Sequence, residues 1–103
     1  MDWTEMDWSE AFPLRRSVPW RTLDTEALVV DVKNGLLYPL NSVGARIWDL
    51  CDGGRNVDEI VGVIAAEFAA PEPTIRADAV EFIERLADAK LISIERRRKG
   101  EGR

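Results

Sequence analysis

Histidine is absent from this sequence, and cysteine occurs once, as Cys51. Zinc sites built from His and Cys, Ser/His/Asp triads and Cys/His pairs are thereby excluded, and no disulfide can close within the chain. No apolar run approaches the ~18 residues of a membrane span, and the N-terminus opens on acids rather than on a basic stretch followed by an apolar one. These absences predict a soluble, unprocessed protein in a reducing, cytoplasmic setting. Bases are scarce outside the C-terminus. Arg96, Arg97, Arg98, Lys99 and Arg103 are five of the 14, set against Glu95 and Glu101 alone, so a formal charge of -5 conceals a body of nine bases and 17 acids at net -8. Such a body repels phosphate backbones.

What is present is enough apolar material, 46% over 103 residues, for one small core, with Trp20, Trp48, Phe68 and Phe82 as its bulkiest candidates. Ser17 to Leu23 and Ala27 to Val32 read as strands, the second alternating Leu28, Val30 and Val32 against Val29 and Asp31. Lys33-Asn34-Gly35 supplies a tight turn, because Asn and Gly tolerate positive φ, and Leu36 to Leu40 returns as a third strand. Pro39 cannot donate to a ladder, which places that strand at a sheet edge. Its unpaired backbone is a place where another chain can add.

Asn41 or Ser42 caps a helix running to about Cys51, with Val43, Ile47, Trp48 and Leu50 inward and Gly53-Gly54 as its stop. Asn56 and Glu59 have capping-box spacing, and Val57, Ile60, Val61, Ile64 and Phe68 then fall on one helical stripe. Pro71 to Pro73 breaks the pattern. Thr74 is the expected cap of a third helix with Ile75, Ala79, Phe82, Ile83 and Leu86 inward. On a 100° wheel Arg76, Val80, Ile83 and Ala87 form a flank beside that face, suited to lining a groove. Leu91 to Ile94 closes the domain as a short extended segment.

The expected fold class is α+β, winged helix-turn-helix-like, with a short three-stranded antiparallel sheet packed on three helices. The expected division is an acidic N-terminal tail over 1–16, a domain over 17–94 and a basic tail over 95–103. The N-terminal tail repeats itself, Met1-Asp-Trp-Thr-Glu5 followed by Met6-Asp-Trp-Ser-Glu10. Two copies of five residues are too short for a structural repeat. They read as a solvated tail or as a segment whose Trp3 and Trp8 dock on a basic partner.

Taken together, Leu40-Asn41-Ser-Val-Gly44-Ala-Arg-Ile47-Trp48, Asp52-Gly-Gly54, Val57-Asp-Glu-Ile60 and Phe82-Ile-Glu-Arg-Leu86 before Lys90-Leu91-Ile92 resemble the PqqD family of RiPP recognition elements. The resemblance covers roughly residues 17 to 94. It implies a stand-alone, non-catalytic adaptor without cofactor or metal, which holds the leader of a ribosomally made precursor peptide. The adaptor presents that leader to a maturation enzyme such as a radical SAM protein, a leader peptidase or a cyclase. In that family the leader adds as an antiparallel strand to the third strand and rests on the third helix. Here those positions are Leu36, Leu37, Tyr38, Pro39 and Leu40, facing Arg76, Val80, Ile83 and Ala87.

Competing readings remain. Winged-helix domains often bind DNA, and fold does not settle function. The third helix, however, sets Asp78, Glu81, Glu84 and Asp88 against Arg76, Arg85 and Lys90, leaving only the Arg96 to Lys99 cluster in favour of nucleic acid. A homodimer through the open strand edge is a third class. An enzymatic role finds no support, since Asp58, Glu59, Glu81, Glu84 and Asp88 look like ordinary solvated helix charges.

Overall fold

The computed structural model describes residues 3–97. Five strands and three helices follow in the order β1 (Ala11–Arg15), β2 (Trp20–Leu23), β3 (Glu26–Asp31), β4 (Leu36–Leu40), α1 (Ser42–Leu50), α2 (Val57–Phe68), α3 (Glu72–Asp88) and β5 (Ile92–Arg96). Strands β2, β3 and β4 form the expected three-stranded antiparallel sheet with β3 in the centre.

The β3–β4 turn is built as its residues dictate. Gly35 sits at φ +67, and the buried Asp31 carboxylate accepts from Asn34 N (3.1 Å) and Asn34 Nδ2 (2.9 Å). Those two bonds offset the cost of burying a charge, because a carboxylate leaving water needs donors in its place. Pro39 lies in an edge strand, as a residue without an N–H must.

Caps set the helices. Asn41 Oδ1 accepts from Gly44 N at 2.9 Å to start α1, and Asn56 and Glu59 close a reciprocal capping box at 2.7 and 2.9 Å to start α2. The third helix starts earlier than its Thr74 cap predicts. It begins at Glu72, after Pro71, with no side-chain cap. Proline is well suited to a first turn, where an N–H has no partner to lose.

Trp48, Ile47, Ile60, Ile64, Ile83 and Leu86 form the centre of the core. Trp48 is the large aromatic fully inside. Trp20 and Phe68, expected beside it, are 40% and 39% exposed, and Phe82 is half-buried. Phe68 ends α2, where the stripe runs out of neighbours.

Residues 11–15, placed on sequence grounds in an N-terminal tail, form β1. This strand pairs antiparallel with β5, Ala11 opposite Arg96 and Arg15 opposite Ile92, as a separate two-stranded ribbon. Arg15 is the clasp between ribbon and helices. Its Nη1 donates to the carbonyls of Trp48 (2.9 Å) and Asp49 (2.7 Å), and its N–H to that of Cys51 (2.9 Å). A cation there satisfies the orphan carbonyls at the negative end of α1.

The second copy of the N-terminal repeat is structured too. Asp7 caps the short 3-10 turn Trp8–Glu10 by accepting from Ser9, and Met6 and Trp8 pack on the core. From the first copy, Trp3 stacks at 6.3 Å from Trp8 and donates its indole N–H to Asp88 on α3 at 3.0 Å. Met1 and Asp2 lie outside the described residues, as do Arg98, Lys99 and Arg103 of the expected basic tail. Arg96 and Arg97 are described, and both are engaged. Arg96 meets Glu10 at 3.5 Å, while Arg97 lies 4.3 Å over the Phe12 ring and binds Glu95 at 2.8 Å.

Candidate functional site

The sheet leaves β4 open on one side, and α3 lies beyond that side across a groove of ≈ 380 Å³. Its apolar floor comes from Leu40 at the end of β4, Val43, Gly44 and Ile47 on α1, and Ile75 and Phe82 on α3. Gly44 matters here for what it lacks. A Cβ at that position would stand 3.4 Å from Phe82 Cε1, so any larger side chain would enter the groove. Pro39, Asn41, Asp78, Glu81 and Arg85 form the rim. Asp78, Glu81 and Arg85 are exposed, and their side chains carry no hydrogen bond or ion pair to any described residue.

Of the strand half of the site predicted from sequence, Pro39 and Leu40 line this groove, and Leu36, Leu37 and Tyr38 precede them along β4. Leu37 and Pro39 are exposed, Leu36 is half-exposed, Tyr38 is half-buried, and Leu40 is buried in the floor. The helix half falls elsewhere. Arg76 is ion-paired with Asp58 on α2, Ile83 is fully buried, and neither Val80 nor Ala87 lines the groove. Helix α3 has two flanks, one on each side of the core stripe of Ala79, Ile83 and Leu86. Arg76, Val80 and Ala87 share the flank turned towards α2. Ile75, Asp78, Phe82 and Arg85 occupy the other, which meets β4.

Sequence reasoning assigned Ile75 and Phe82 wholly to the core and passed over Asp78 and Arg85. Their 3-4-3 spacing is itself a helical stripe. It became informative only once the direction of β4 was known.

A second apolar hollow of ≈ 480 Å³ lies near the opposite edge, by β2, lined by Trp20, Ala27, Ala45 and Phe68 among others. Its rim charges are already committed: Arg46 binds Glu67 at 2.8 Å and Asp49 at 2.9 Å. Those bonds hold the Glu67 carboxyl below its ordinary value and raise Arg46.

Among the described residues no three carboxylate or thiol side chains converge as metal ligands would. Cys51 is buried, and desolvation pushes its thiol up to about 12, with neighbouring Arg15 opposing the shift only weakly. A thiol that stays protonated is no nucleophile. Among the described residues no helix is long and apolar enough to cross a membrane.

Comparison with known proteins agrees with this geometry. A family model described as coenzyme PQQ synthesis protein D (PqqD) matches residues 26–92. A curated PqqA binding protein from Bradyrhizobium diazoefficiens is 28% identical over 68 residues, 66% of this chain and 65% of that protein. The chain thus spans slightly under two thirds of that relative's length. The structure of TbiB1 in complex with the TbiA(beta) leader peptide superposes with a TM-score of 0.69 at 31% identity, covering 78% of this chain and 94% of the other. The solution structure of the PqqD truncation of Methylobacterium extorquens PqqCD, described as a stand-alone RiPP recognition element, also gives 0.69, at 21% identity, covering 93% and 100%. At that identity it speaks to the fold alone.

Proposed function

The chain belongs to the PqqD family, and on that premise we propose that it is a non-catalytic adaptor. It captures the leader of a ribosomally synthesised precursor peptide by strand addition and presents it to a modifying or processing enzyme. The observation that carries this reading is the open edge of β4 beside an apolar groove, in a fold whose relative TbiB1 was solved with a leader peptide.

The mechanism follows from the two parts of the groove. Main-chain bonds to β4 give sequence-tolerant affinity, and the Leu40, Ile75 and Phe82 floor selects side chains. A disordered leader loses about 2 to 5 kcal/mol of ordering free energy on docking, so a few well-buried side chains must offset it. Micromolar or somewhat tighter binding is the expected result. The partner enzyme is a radical SAM protein, a leader peptidase or a cyclase, and the setting is cytoplasmic. A homodimer through β4 would compete with the leader for the same edge.

The DNA-binding alternative loses ground on Arg96 and Arg97, whose charges are taken up by Glu10, Glu95 and the Phe12 ring. The experiment is a titration of the purified protein with labelled leader of its cognate precursor peptide, beside a duplex DNA control at physiological salt. Saturable peptide binding, lost in Phe82→Asp with the circular dichroism spectrum retained, supports the adaptor. Salt-sensitive DNA binding without peptide binding overturns it.

A further inference from the structure

The open edge of β4 is not a uniform ladder. In an antiparallel pair, alternate residues exchange both backbone bonds with the neighbour, and those between aim theirs the other way. Leu23 and Glu26 face each other across a two-residue turn, Arg21 is opposite Leu28, and Val30 N donates to Pro19 O at 2.9 Å. Leu28 and Val30 are thereby committed to β2. Ala27, Val29 and Asp31 then serve β4, where their partners are Leu40, Tyr38 and Leu36. The β4 residues whose backbone aims outward are Leu37 and Pro39. Proline has no N–H, so this edge offers two carbonyls but a single donor, that of Leu37. Because the missing donor lies on the outer side, Pro39 removes nothing from the β3–β4 ladder.

We infer that Leu37 and Pro39 set the register of the bound peptide, with Leu37 as its only two-bond position. This rests on the strand-addition reading above. In an antiparallel leader, the residue opposite Leu37 both donates to and accepts from it. The residue two positions nearer the leader's N-terminus donates to the Pro39 carbonyl and receives nothing in return. The leader residues that alternate with these turn their N–H groups away from β4. Their side chains share the face of Tyr38 and Leu40 and point into the groove floor. The ligand class is therefore an extended segment that requires free N–H groups at two positions spaced by two. It accepts proline or an N-methylated residue, together with an apolar side chain, in the positions between.

The test is an N-methyl scan of the leader against the unaltered protein, joined to Pro39→Ala. The expected scan has two sensitive positions spaced by two, each weakened roughly 3- to 10-fold, as a lost hydrogen bond predicts. Pro39→Ala, checked by thermal melting, restores a donor and tightens unmodified leader about 2- to 10-fold. If leader binds saturably but the sensitivity lacks this period, or Pro39→Ala leaves affinity unchanged, the register assignment is wrong and the adaptor reading stands. If no leader binds, both fall.

Discussion

Arg76 on α3 donates from Nη1 to Asp58 Oδ1 on α2, and this pair marks the flank of α3 that is turned away from β4. Helical spacing set Arg76, Val80, Ile83 and Ala87 on one flank, and the family resemblance offered them as ligand contacts. In the folded chain the stripe of Ile75, Asp78, Phe82 and Arg85 stands at the open strand instead.

Arg76→Glu is therefore expected to leave leader affinity unchanged. Both partners are about two fifths exposed, so the stability loss should stay within ~1 kcal/mol. Parallel titrations and urea melts check both halves, and a fall in affinity comparable to that of Phe82→Asp would return the ligand to the α2 side.

Trp48 is 0% exposed, meets the Trp20 ring edge-on at 6.2 Å, and its indole N–H has no hydrogen-bond partner among the described residues. Trp48→Ala should cost ~3 to 5 kcal/mol through the cavity it leaves. Trp48→Phe should cost much less, because it also removes an unsatisfied donor with a penalty of about 1–3 kcal/mol. Denaturant midpoints of the two variants give the comparison, and equal losses would mean that the indole N–H is satisfied in solution.

Cys51 should resist thiol reagents in the native protein at neutral pH, since burial holds its thiol protonated with a value pushed up to about 12. Labelling should then follow global unfolding. Its rate in rising urea is the measurement, and fast labelling in buffer would indicate that the loop between α1 and α2 opens independently.

Stability should be flat between about pH 5 and 8 and fall below about pH 4. Four carboxyls are held below their ordinary values by hydrogen bonds: Asp7 by Ser9, Asp52 by Gly54 N–H, Glu67 by Arg46 and Glu95 by Arg97. Folding favours their charged forms. Their contribution is thus complete above the unfolded values of 3.8 and 4.5 and is lost as pH falls through the lower folded ones. With no histidine, little else titrates near neutrality. Melting temperatures across this range check it, and a step near pH 6 would contradict it.

What sequence reasoning reached was local. Asn41 and Asn56 cap where expected, β4 spans Leu36–Leu40 as predicted, and the PqqD resemblance read from Leu40 to Ile92 is met by the family match over 26–92. What it missed was decided at a distance. Ala11-Phe-Pro-Leu-Arg15 has no strong strand pattern, and it becomes a strand because β5 lies alongside almost eighty residues later. The two flanks of α3 are equally plausible until the position of β4 is known. Thr74 is the better cap by residue type, yet two prolines start the helix sooner by needing no partner.

The ribbon of β1 and β5 has a mechanical corollary. Ala11 stands opposite Arg96, and Arg97 N donates to Glu10 O at 2.8 Å, so the two outer ends of the ribbon lie side by side. In a chain trimmed to begin at Glu10, a tether at that end and one attached after Arg97 would start from almost the same point. With equal linker lengths they would impose nearly the same effective concentration of a fused enzyme at the groove. Gene order in a fusion would then be mechanically neutral, and linker length would be the variable that matters.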